Sequence, residues 1–207
     1  MITRKKFLAT AVLFSFLTTG LVLTTSVSQA LASVDGPGRF IASLGERAIK
    51  TLADTSAADS TRRIQFRTLF LEGFDVNALS RYAIGRYWRT ASKSQRSEYQ
   101  RLFTDFIVNT YASRFGQYSG EKFLVKGERK IKGKKDTIVQ SEIIRPQGAP
   151  VRVDWRVRER KSGYKVIDII VEGVSMAITQ REEFSTVIRR SGGKVDGLIA
   201  ELKAKTQ

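Results

Sequence analysis

Any catalysis in this chain falls to carboxylates, hydroxyls and amines, because its 207 residues include no histidine and no cysteine. Without imidazole or thiol there is no Ser-His-Asp or Cys-His arrangement, and the usual ligands of zinc and of iron–sulfur clusters are missing. Ser-Lys nucleophile pairs and paired carboxylates stay formally open. No SxxK pattern accompanies other signature elements of that chemistry. Glu182 and Glu183 are adjacent, so on a helix they point about a quarter turn apart, as surface acids do. There is no GxxxxGK[ST] loop and no GxGxxG to cradle phosphates. The inventory therefore points away from an enzyme, with no metal and no cofactor expected.

What remains is apolar and cationic material, and the elements that carry it can be read from its spacing. Gly36-Pro37-Gly38 reads as a flexible lead-in. Phe40, Ile41, Leu44, Ala48, Ile49 and Leu52 then recur at helical spacing. A second helix is expected from Asp59 or Ser60, with Ile64, Phe66, Leu69 and Phe70 inward and Gly73 breaking it. Asp75 can cap a third helix that ends near Trp88. Ser92 with Gln95 is a capping-box pattern. It opens a helix with a wide apolar stripe: Tyr99, Leu102, Phe103, Phe106, Ile107, Tyr111 and Phe115, closed by Gly116 and Gly120.

Between residues 121 and 175 the period changes to alternation. Strands are expected at Phe123–Val125, Thr137–Ile144, Val151–Arg158 and Tyr164–Val171, joined by turns at Lys130–Lys135, Pro146–Pro150 and Lys161–Gly163. The third is the sharpest: Val151, Val153, Val157 and Trp155 share one face, and Arg152, Asp154, Arg156 and Arg158 the other. Four strands joined by short turns imply an antiparallel meander covered on one face. Thr179 with Glu182 suggests the cap of the next helix. Gly192-Gly193 stops that helix, and Leu198, Ile199 and Leu202 belong to a last one. The fold class is α+β, a four-stranded curved antiparallel sheet against several helices.

The N-terminus reads as an export signal. Arg4, Lys5 and Lys6 precede an uncharged run from Phe7 to Val27, and Ala30-Leu31-Ala32 supplies the small residues a signal peptidase needs. The competing reading is a membrane-spanning anchor, because the run is about long enough to cross a bilayer. Five threonines and Gly20 dilute it, which favours cleavage before Ser33. Residues 1–32 are then a signal peptide and 33–207 one domain, destined for the periplasm. The mature part keeps 33 Lys and Arg against 20 acids, a net charge of +13. That charge suits an anionic partner, and export makes nucleic acid the weaker choice.

Two blocks carry a resemblance. Phe74–Tyr118 has a Phe-Asp start, the Gly85-Arg86-Tyr87-Trp88 segment, and a following Gln-Arg helix rich in aromatics. Asp168–Phe184 has Glu172-Gly173-Val174-Ser175 followed by an Arg-x-x-Phe helix start. Together they resemble the MlaC family of toluene-tolerance auxiliary proteins, with the strands between and the export segment in the family's order.

The resemblance implies a monomeric phospholipid carrier with an NTF2-like curved sheet and an added helical part. Such a carrier exchanges lipid with an inner-membrane ABC transporter through its ring-forming lipid-binding subunit, and docks an outer-membrane lipoprotein complex. Related sequences in hopanoid pathways keep a polycyclic cargo open. The competing reading is a basic envelope docking module with a filled core and no cargo. On the carrier reading, the residues expected to line the cavity are Trp88, Phe103, Phe106, Tyr111, Val153, Trp155, Val157, Ile169 and Val171, with Val174 and Met176 beyond the last strand. Each is equally at home in an ordinary core. Arg81, Arg86 and Arg89 are the candidates for meeting a headgroup phosphate, or else form a solvated helix face.

Overall fold

Apolar spacing predicts most of the elements in the computed structural model, which describes residues 36–54, 56–112 and 118–206. The expected signal segment, with its cleavage before Ser33, the stripe residue Phe115 and the closing Gly116 lie outside the described residues. Five helices come first: α1 (Pro37–Ala53), α2 (Asp59–Gly73), α3 (Val76–Ile84), the single turn α4 (Tyr87–Thr90) and α5 (Lys93–Ala112). Five strands follow, β1 (Lys122–Lys130), β2 (Asp136–Ile144), β3 (Val151–Arg160), β4 (Gly163–Val171) and β5 (Val174–Ser175). Helices α6 (Met176–Arg190) and α7 (Val195–Thr206) complete the described chain.

Local chemistry explains where the helices begin. Asp75 accepts from the Ala78 amide at 2.9 Å and caps α3. Ser92 and Gln95 form the reciprocal box at the start of α5, Gln95 N to Ser92 Oγ at 3.1 Å and Ser92 N to Gln95 Oε1 at 2.8 Å. Three expectations are corrected. Gly36-Pro37-Gly38 is no lead-in: Pro37 opens α1 at its first position, where a fixed φ and a missing N–H cost nothing. The helix expected to end near Trp88 stops at Ile84, because Gly85 at φ +52° turns the chain before α4. The cap of α6 is Ser175, not Thr179; its Oγ accepts from the Ile178 amide at 3.1 Å.

The start of α1 has no cap of its own, and the sheet supplies one. Glu128 of β1 accepts from the Gly38 amide at 2.7 Å, placing a carboxylate at the positive end of the helix. Glu128→Ala should therefore cost about 1 kcal/mol in denaturant unfolding. Unchanged stability would mean that water satisfies those amides equally well.

Each strand pairs antiparallel with the next, in the order β1-β2-β3-β4-β5, and the sheet is curved and unclosed. The count is five rather than the four expected. Glu172 and Gly173 both have positive φ (48° and 84°), and this two-residue turn lets Val174 pair with Val171. Register shifts at Val125/Gly127 and Arg156/Val157 act as bulges that bend the strands.

Alternation sorts the side chains by face. Pairing sets Phe123 and Val125, Val139 and Ser141, Val153, Trp155 and Val157, and Val166, Ile169 and Val171 on the inner side. Helices α1 and α2 cover one part of that face: Ile41, Leu44 and Leu69 pack with Val139, Val157 and Val166. A second core lies among the helices, with Tyr99, Leu102 and Phe103 of α5 against Ile84, Phe184, Ile188, Leu198 and Leu202. Phe74 touches both clusters, so it joins the helical layer to the sheet.

Candidate functional site

The inner face of the sheet gathers five of the expected lining residues: Val153, Trp155, Val157, Ile169 and Val171. Val157 is closed within the sheet-side core, and Trp155 and Ile169 pack against its edge. Val153 is 4% exposed yet belongs to neither apolar cluster of described residues. Trp155 is held from three directions. Its ring stands edge-on to Phe123 (5.9 Å between centroids) and to Phe74 (6.5 Å), and its indole N–H donates to Ser141 Oγ at 2.9 Å. Ser141 in turn donates to the Val153 carbonyl at 2.7 Å. The hydroxyl and the indole N–H beside Val153 are thus both satisfied within the protein.

A second grouping lies where α5, α6 and α7 converge. Phe106, Tyr111 and Met176, all expected lining residues, border a cavity of about 560 Å³ with Ile107, Asn109, Thr110, Thr179, Gln180, Glu183 and Lys205. Sequence reasoning placed Ile107 in the stripe but not at this site, and missed Lys205 altogether. Lys205 lies 5.7 Å from the Phe106 ring centroid and pairs with Glu201 at 2.8 Å. No local motif marks it, because only the docking of α7 on α5 brings it there.

The other expected residues differ in their exposure and surroundings. Phe103 is buried in the helical core, edge-on to Phe184 at 6.2 Å. Tyr111 is 39% exposed, and Val174, in β5 rather than beyond the last strand, is 54% exposed. Trp88 is half-buried on α4 beneath two guanidinium groups, Arg81 at 5.4 Å and Arg96 at 5.3 Å. Arg81, Arg86 and Arg89 are exposed and border neither this cavity nor a second one, of about 610 Å³, between α2, α3, α5 and the β3–β4 hairpin.

The outer face of the sheet carries the strongest electrostatics. Asp136 is 2% exposed and Asp154 is buried too. Arg156 Nε and Arg158 Nε donate to the Asp136 carboxylate at 2.8 and 2.6 Å. The two guanidiniums hold its pKa down at about 2, Arg158 contributing most, against the opposing effect of burial. Tyr99 donates to the Ser80 carbonyl at 2.9 Å, and burial raises its phenol well above its ordinary pKa. Among the described residues no three His, Cys, Asp or Glu side chains converge as a metal site. None of the described helices is long and apolar enough to cross a membrane.

Fold and site together define an α+β protein in which a half-covered, curved sheet turns an apolar face toward a helical layer. The chain belongs to the MlaC protein family, whose model matches residues 43–204. It is similar to the intermembrane phospholipid transport system binding protein MlaC of Haemophilus influenzae, 25% identical over 123 residues. That match covers 58% of this chain and 56% of the relative, so it spans little more than half of the relative's length. Its fold is that of the phospholipid-binding protein of Ralstonia solanacearum, solved in complex with a phospholipid. The TM-score is 0.73 at 22% identity, over 82% of this chain and 96% of that one.

Proposed function

We propose that this protein is a periplasmic phospholipid carrier, exported by a signal peptide at residues 1–32 and folded as one domain from 33. Its lipid tails lie against the inner sheet face at Val153, Trp155, Ile169 and Val171 and reach the Phe106–Met176 cavity. The observation that carries this reading is the apolar inner face, on which the Ser141 hydroxyl and the Trp155 indole N–H are tied to neighbouring groups. Family membership and the phospholipid in the Ralstonia relative support it.

The physics of cargo fits such a face. Each methylene moved out of water contributes about 0.8 kcal/mol, so a two-chain lipid does not cross an aqueous gap unaided. Burial of hydrocarbon is non-directional, so the chains need no polar recognition. The cavity of about 560 Å³ is in the size range of ligand sites. The carrier exchanges its lipid with an inner-membrane ABC transporter and an outer-membrane lipoprotein complex, and it works without a catalytic step.

Uptake from vesicles tests this. Incubated with liposomes holding a fluorescent phospholipid and then separated from them, the protein should retain close to one lipid per chain. A protein that emerges unlabelled from repeated incubations is a docking module without cargo.

A further inference from the structure

Five arginines meet where α3, α4, α5 and α6 come together, and none is ion-paired to a carboxylate among the described residues. The stretch from Val76 to Ser97 contains no acid at all. Stacking on aromatic rings holds four of these cations instead. Arg81 and Arg96 lie against Trp88, Arg86 lies 5.1 Å from the Tyr87 ring, and Arg181 lies 5.0 Å from Tyr82. Arg96 also donates to the carbonyls of Trp88 (2.9 Å) and Arg89 (3.2 Å), drawing α5 onto α4. Gly85 leaves room for Arg181, whose guanidinium would stand 3.0 Å from any Cβ there. Glu182 follows Arg181 in sequence but pairs with none of the five, and Glu183 accepts from Gln180.

Held this way, the like charges repel one another, and a bound anion would relieve them. Arg81, Arg86, Arg89 and Arg181 are exposed. One turn before Arg181 on α6 stands Ile178, 49% exposed, and Val174 of β5, which leads into that helix, is exposed as well. Guanidiniums on aromatic rings, with an exposed aliphatic side chain one turn away on α6, match the headgroup boundary of a bilayer. We propose that this face docks the protein on an anionic membrane surface, with the guanidiniums on lipid phosphates and Val174 and Ile178 at the edge of the hydrocarbon. A free phosphate would satisfy the charges alone and leave the aliphatic pair in water. The inference concerns where the protein rests and is independent of what its interior holds.

Flotation with vesicles of phosphatidylcholine, with and without phosphatidylglycerol, tests it. The protein should float only with the phosphatidylglycerol vesicles, and less so as salt is raised. Each arginine near an anionic surface contributes about a fivefold gain in partitioning, so the triple Arg81→Gln, Arg86→Gln, Arg89→Gln should lose about 100-fold. Thr90→Glu, which adds an acid beside Arg89 and leaves the stacks in place, should lose about fivefold. The triple Lys130→Gln, Lys132→Gln, Lys134→Gln removes the same net charge from the end of β1 and the turn after it and should float nearly as the parent does. Equal losses in the two triples would reduce the effect to net charge and overturn the proposal. Capture of poly-glutamate without flotation on either vesicle would assign the face to an acidic protein, with the same result. Mass spectrometry of lipid in each purified variant reports the interior separately, so lost docking and lost cargo are told apart.

Discussion

Val153→Trp or Ile169→Trp should leave the protein folded but nearly unable to take up phospholipid. Both residues face inward from the centre of the sheet, on strands that pair Trp155 with Ile169 and Val153 with Val171. An indole there occupies room that acyl chain would fill. If it displaces three methylenes at about 0.8 kcal/mol each, uptake weakens about 50-fold. Overpacking a strand centre costs about 1–3 kcal/mol, a partial loss of stability that a thermal melt would register. Gln140→Trp supplies the control. Gln140 is exposed on the adjacent strand, opposite Asp154, with its side chain on the outer face, so the same indole should leave uptake unchanged. Uptake preserved in both inner variants would remove the sheet from the site, since a register error of one residue exchanges the faces.

The second large effect belongs to stability. Asp136→Asn should cost about 2–3 kcal/mol near neutral pH, because Arg156 and Arg158 lose the carboxylate between them while remaining only about one-third exposed. The pH dependence has a definite sign. Asp136 titrates at about 2 in the folded protein against an ordinary value of 3.8. Its contribution, about 2 kcal/mol, is complete above pH 4 and is lost as pH falls toward 2. The gap in unfolding free energy between parent and variant should therefore narrow across that acid range. A gap independent of pH would mean that the carboxylate is not held by the two arginines.

The sequence shows this second feature poorly and the first well, for one physical reason. Alternation in Val151–Arg158 reports which side chains share a face, and β3 follows it. Capping at Asp75 and at Ser92–Gln95 is equally local and is found where expected. The burial of Asp136 depends on two arginines 20 and 22 residues away, visible only once β2 and β3 pair. Ile64 shows the same limit: expected inward, it is 66% exposed. Arg62, Leu69, Phe70 and Gly73 are the buried positions of α2, and Ile64 lies about 200° around the helix from Arg62. Arg62 turns inward with an ion pair to Asp59, a choice hydropathy alone does not register. At the candidate site, alternation identified the sheet residues, whereas the approach of Met176 and Lys205 to Phe106 depends on how three helices dock.

The most direct measurement is a native mass spectrum of the protein extracted from its cells without detergent. If the interior carries a membrane lipid, the main species is one chain plus the mass of one diacyl phospholipid, and denaturation releases that lipid. A spectrum holding only the bare chain, from cells and buffers that preserve lipid on other carriers, would contradict the central claim.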